Sequence, residues 1–151
     1  MTDATETKAP APAVDYEEMT RILYQEVREV GHPVSGYFAG RQVLILTTTG
    51  AKSGEPRTTV VVYTRDGDRL VIAASKSGAP TNPGWFYNLA ADPIVTIEVD
   101  KESFQARATV TEGAERKRLW DSHAELHPSF NDYLAKTDRI IPVISLERIA
   151  D

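Results

Sequence analysis

From Gln42 to Val110 the sequence breaks into short β-branched runs joined mostly by brief turns, with no regular crossover helix after any run. This constrains the fold most strongly, because parallel neighbours need connections of a dozen or more residues. Val43 to Thr49 reads as a strand, Gly50 to Arg57 as a loop, and Thr58 to Arg65 as a second strand. Asp66-Gly67-Asp68 is a tight turn before a third strand, Arg69 to Ser75. Lys76 to Pro83 is a Gly/Pro loop, and Trp85 to Ala91 a short helix stopped at Asp92-Pro93. Ile94 to Val99 and Phe104 to Val110 then form a hairpin around Asp100 to Ser103.

Helices flank this β-rich middle. Asp15 and Glu18 form a capping-box-like pair, and Met19, Ile22, Leu23, Val27 and Val30 share one face of the helix that follows. Gly31 and Pro33 end it. Its polar face carries Glu17, Glu18, Glu26 and Glu29, which anionic lipids repel, so packing on its own domain is favoured over contact with a membrane or lipid. Thr111 is expected to cap a helix running to about Leu126, with Glu112 and Glu115 in its first turn. His127-Pro128 breaks it, Ser129 to Lys136 is a shorter helix, and Ile140 to Leu146 is a last strand. Pro142 is expected to put that strand at an edge or a barrel end. The fold class is therefore mainly β (α+β): a six-stranded antiparallel barrel, closed or split, with flanking helices and a groove between sheet and helices where a flat ligand can lie. Residues 1–13 read as a disordered leader and 14–151 as the folded domain.

Composition removes several functions. There are no cysteines, so thiol nucleophiles, Cys-ligated zinc and iron–sulfur clusters are excluded. A net charge of -5 argues against a general nucleic-acid coat, yet leaves room for a local basic pocket. The first residues lack the basic and apolar regions of a signal peptide, and no apolar run approaches the ~20 residues of a membrane span. His123 and His127 stand four apart but lack a third ligand, and read with His32 as surface or packing histidines.

Two loops carry candidate chemistry. In Gly50-Ala51-Lys52-Ser53-Gly54-Glu55-Pro56-Arg57-Thr58 two glycines flank a lysine and a serine, and an arginine follows. Glycine lets amides approach an anion, and Lys and Arg supply charge. The order is not that of a Walker loop, and a β-branched run follows instead of a helix. A plain hairpin loop with solvated charges is the competing reading. The second loop runs from Ala74-Ser75-Lys76 through Gly78 to Pro83 and Trp85 at a helix start, where free amides and an aromatic wall suit a polar flat ring.

Together these segments, Leu46-Thr47-Thr48-Thr49-Gly50-Ala51-Lys52-Ser53-Gly54-x-x-Arg57 and Ala74-Ser75-Lys76-x-Gly78-Ala79-Pro80-x-x-Pro83-x-Trp85-x-x-Asn88-Leu89, resemble the deazaflavin-dependent nitroreductase family of the FMN-binding split-barrel superfamily. Asp132-Tyr133-x-x-Lys136-Thr137-Asp138-Arg139-x-Ile141-Pro142 is similar to its C-terminal signature, and the resemblance covers about residues 37–149. It implies a cytoplasmic, or peripherally membrane-associated, oxidoreductase that passes a hydride from reduced coenzyme F420 to a quinone, nitroaromatic or activated alkene. It assigns Lys52, Ser53, Gly54, Arg57 and Thr58 to the cofactor's phosphate and acidic tail. Ala74, Ser75, Lys76 and Gly78 would lie along the deazaflavin ring, Pro83 and Trp85 beside it, and Tyr63 on the strand facing it. Asn88 would brace the short helix. Tyr133 and Ser75 are the candidate catalytic donors to the acceptor, since hydroxyls can donate to a carbonyl or nitro oxygen. Two alternatives stand beside this: the same barrel holding FMN, and a non-catalytic carrier of a lipid-like or planar ligand.

Overall fold

A computed structural model describes residues 16–149. The expected leader at 1–13 and the Asp15 cap lie outside the described residues. The elements are α1 (Tyr16–Glu29), β1 (Val43–Thr49), β2 (Pro56–Val62), β3 (Thr64–Asp66), β4 (Arg69–Ala73), α2 (Gly84–Ala91), β5 (Ile94–Val99), β6 (Glu102–Val110), α3 (Gly113–Leu126), α4 (Ser129–Lys136) and β7 (Val143–Arg148), with a 3-10 turn at Lys76–Gly78. All paired strands are antiparallel, in the order β2-β1-β5-β6-β7-β4-β3.

The strands number seven where the sequence suggests six, because the run from Thr58 to Arg65 breaks at Tyr63. The two pieces, β2 and β3, lie at opposite margins of the sheet yet are joined by that single residue. The Tyr63 amide donates to the Gln42 carbonyl at 3.1 Å, one step further in the β1–β2 register, and the next residue, Thr64, pairs instead with Val71 of β4. The sheet therefore curls round on itself as a split barrel whose margins meet at one corner. An uninterrupted β-branched run gives no warning of such a corner, since propensity reports the pleat and not the bend.

Several boundaries also move. β2 begins at Pro56, inside the expected loop, on a strand paired only with β1, where proline's missing donor costs little. β4 stops at Ala73, and Ser75 opens the 3-10 turn. Asp100 and Lys101 turn the β5–β6 hairpin in two residues, with φ 51° and 68°. Thr111 does not cap α3; Glu112 stands at the N-cap without a side-chain bond, and the Thr111 hydroxyl donates to the Val143 carbonyl at 2.8 Å. β7 is not an edge strand: it lies between β6 and β4, and Pro142 precedes it.

Period-2 alternation divides the core. Leu44 and Leu46 of β1, and Leu70 and Ile72 of β4, point into the barrel with Ile97, Ala106, Ile144 and Leu146. The alternate residues Val43 and Ile45 point out, under Val27 of α1, while Val71 and Ala73 meet Leu119, Trp120, Ala124 and Phe130 of α3 and α4. Each fully buried Leu or Ile contributes roughly 1.5–3 kcal/mol by leaving water. α1 thus packs on its own domain through Val27, Leu23 and Tyr24, while Met19 and Val30 of the expected apolar face stay about half exposed.

Two polar clusters pin α3. Asp66 accepts from Arg69 at 2.6 Å and Arg118 at 2.9 Å, and these hydrogen bonds hold its carboxyl at a pKa of about 2. His123 is fully buried, 3.2 Å from the Thr64 hydroxyl, with its ring edge-on to Phe130 at 4.6 Å. Burial, with a smaller push from His127, lowers its pKa to about 3. The unfolded chain takes up a proton near pH 6.5 that the folded chain refuses, so this contribution is complete above pH 6.5 and is lost as pH falls toward 3. Urea unfolding is expected to show ~2 kcal/mol lost between pH 7 and pH 5 from this group, and a shallower acid slope for His123→Phe. Equal slopes for the two proteins would refute this account.

Candidate active site

A groove of about 210 Å³ opens along the free margin of β2. One side is Val60, Val61 and Val62 of that strand. Ala73, Ser75 and Lys76 come from the end of β4 and the turn after it, Pro83 and Trp85 from the start of α2, and Phe130 and Tyr133 from α4. Tyr37, Phe38 and Arg41, from the connection between α1 and β1, complete the lining. The structure thus brings Ser75, Lys76, Pro83, Trp85 and Tyr133 together at one cavity. Ser75 is buried, and its hydroxyl has no partner among the described residues. Tyr133 is half-buried and held edge-on against Phe130 at 5.0 Å.

Three other expected residues stand elsewhere. Tyr63 does not line the groove; its side chain packs into the barrel core, with Arg65 over its ring at 5.5 Å. Ala74 is fully buried and contributes backbone only. Gly78 has φ +80°, and a Cβ there would come within 3.0 Å of the Tyr133 carbonyl and of Lys136 Cβ. Its part is to let α4 lie directly on the turn, which sets where Tyr133 sits.

The glycine turn is adjacent to the groove. Thr58 is two residues before Val60 on β2, ~7 Å along the strand. Residues 51–58 are all exposed. The turn is shaped by Gly50 N–H to the Glu55 carbonyl at 2.8 Å and by Gly54, with φ +74°, donating to the Gly50 carbonyl at 2.9 Å. Ser53 Oγ accepts from the Glu55 amide at 3.2 Å and Arg57 Nη2 at 3.4 Å, and the Thr47 and Thr58 hydroxyls meet at 3.1 Å. Among the described residues neither Lys52 nor Arg57 is in an ion pair. Asn88 braces the turn as well as its helix: its Oδ1 accepts from the Ala51 amide at 3.0 Å, and its Nδ2 donates to Thr48 Oγ1 at 3.1 Å.

Sequence reasoning gave Arg139 no role. Its guanidinium donates to the Ala79 carbonyl (2.9 Å), the Ala74 carbonyl (3.1 Å), Asn82 Oδ1 (2.7 Å) and the Ser75 carbonyl (2.6 Å). It therefore fixes the whole loop that presents Ser75 and Lys76. Its place in the Thr137-Asp138-Arg139 signature was visible, but not the carbonyls some 60 residues away.

A curled antiparallel sheet with a groove along one strand margin and a cationic turn beside it defines a split-barrel protein. The comparisons narrow this. Residues 19–148 match the model of the F420H(2)-dependent quinone reductase family, and the chain belongs to that family. An F420H(2)-dependent quinone reductase of Mycobacterium tuberculosis is 40% identical over 122 residues, covering 79% of this chain and 80% of that one. A solved F420-H2-dependent reductase superposes with a TM-score of 0.66 at 35% identity, over 71% of this chain and 95% of its own. A chain solved as a domain-swapped dimer reaches a TM-score of 0.68 at 30% identity, over 88% and 100%. The protein is therefore an oxidoreductase whose cofactor is reduced F420. The donor set suits that cofactor: exposed cations outside any ion pair among the described residues for its acidic end, and valine and aromatic walls for its ring.

Arg139→Lys leaves one nitrogen to serve four acceptors and is expected to cost about 2–4 kcal/mol in urea unfolding, with weaker F420 binding. An unchanged midpoint would show that the clamp is dispensable.

Proposed function

We propose that the protein reduces quinones, and secondarily nitroaromatic or activated-alkene acceptors, in the groove beside β2, with F420 anchored by the glycine turn. The observation that carries this reading is the pairing of a cationic turn, outside any ion pair among the described residues, with a valine- and aromatic-walled groove that begins two residues further along β2. Reduced F420 supplies the hydride when bound. Lys52 and Arg57 balance the cofactor's acidic end, with Ser53 and Thr58 as hydroxyl partners. The amides of Lys52 and Ser53 have no acceptor among the described residues, which leaves them free for an anion.

At the other end, Val60 to Val62, Trp85 and Phe130 exclude water from a flat ring and its guest. The free hydroxyl of Ser75 and the phenol of Tyr133 orient an acceptor oxygen. Of the described residues, no helix is long and apolar enough to cross a membrane. A cytoplasmic protein in peripheral contact with a membrane is the location that suits quinone acceptors.

Mixing the protein with reduced F420 and menadione is expected to restore the cofactor's visible absorbance. No change with several quinones and nitroaromatics would favour a non-catalytic carrier. Lys52→Ala combined with Arg57→Ala is expected to weaken F420 binding by roughly 2–4 kcal/mol in a titration. Unchanged affinity would remove the phosphate from this turn.

A further inference from the structure

We propose that Arg41 is a catalytic residue for the acceptor half of the reaction, its guanidinium holding the quinone oxygen that gains negative charge as hydride arrives. This rests on the functional reading above. Arg41 lines the groove together with Ser75 and Tyr133. Most arginines of the described chain are committed elsewhere: Arg28, Arg65, Arg69, Arg118 and Arg148 to carboxylates, and Arg116 and Arg139 to backbone carbonyls. Arg41 has neither kind of partner. It rests 5.0 Å over the Tyr37 ring, an arrangement that limits the guanidinium's motion while leaving its N–H groups free. Burial chiefly lowers the pKa of His127, and the Arg41 charge adds to that in the same direction.

The chemistry of the groove makes a cation necessary. Among the described residues no carboxyl and no imidazole lines it. Hydride adds two electrons and one hydrogen to the quinone, so one quinone oxygen holds a full negative charge until a proton joins it. The balance is one quinone and one reduced F420 giving one hydroquinone and one oxidised F420, the second hydrogen passing as a proton through solvent. A fixed cation beside that oxygen stabilises the charge where it develops. Lys76, the other cation in the lining, donates to Thr81 Oγ1 at 3.3 Å and keeps its remaining donors, but as a point charge it lacks the planar fork with which Arg41 can hold an oxygen.

The test is steady-state kinetics of Arg41→Met, Arg41→Gln and Arg41→Lys with reduced F420 and a series of quinones whose hydroquinones differ in acidity. Arg41→Met and Arg41→Gln are expected to lower kcat/KM for menadione ~10- to 100-fold, with Arg41→Lys recovering part of the loss. The loss grows as the hydroquinone becomes a weaker acid, and F420 affinity by titration stays within about twofold. Arg41→Gln keeps a polar stem, so a folding defect confined to Arg41→Met does not obscure the result. The assignment is overturned by kcat/KM within about threefold of wild type, by a loss uniform across the quinones, or by an equal fall in F420 affinity. Wild-type protein inactive with every quinone overturns the functional reading itself, whereas active wild type with equally active variants overturns only the role of Arg41.

Discussion

The groove depends on one guanidinium. Arg139 reaches three backbone carbonyls and one side-chain amide of the segment between β4 and α2, a stretch too irregular to satisfy its own polar groups. Arginine suits the task because its planar fork presents several donors in a fixed geometry. With the loop held, Ser75 and Lys76 are presented at fixed positions, and α4 can settle on Gly78 without a side chain in the way. Tyr133 then arrives at the groove as a consequence of packing. The acceptor side of the site is thus built from a charge-assisted clamp and a missing Cβ.

The glycine turn is built differently. It is exposed and held by few bonds, and Asn88 ties it to α2 through Ala51 and Thr48. Because Pro83 and Trp85 stand at the start of α2, one short helix couples the turn to the groove wall. β2 connects the two regions again, with Thr58 at one end and Val60 to Val62 at the other. Among the described residues its outer margin carries no paired strand, so the groove occupies an edge that would otherwise invite pairing with another chain.

Much of this was legible beforehand. β-Branched runs and the turns between them located β1, β4, β5 and β6, and the acidic first turn and the His127-Pro128 break located α3. The glycine turn and the Ser75 loop stood out by residue type. Pro142 misled because a proline beside a strand suggests an edge, whereas here it ends just before an interior strand. Thr111 misled because a hydroxyl before a helix suggests a cap, whereas a nearer backbone acceptor, the Val143 carbonyl, takes it. Arg41 gave no sign at all, standing in a stretch without periodicity.

The amino-acid sequence by itself determined an antiparallel, helix-flanked sheet, the two chemistry-bearing loops and the family they signal. These follow from local properties: side-chain branching, glycine freedom and the order of charges along a few residues. Tertiary structure alone decided that one run splits at Tyr63 to occupy both margins of the sheet, that Tyr63 points into the core, and that Arg41 and Arg139 meet the groove and its loop. Those outcomes depend on which distant groups compete for a hydrogen bond or a space, and that competition exists only once the sheet has curled.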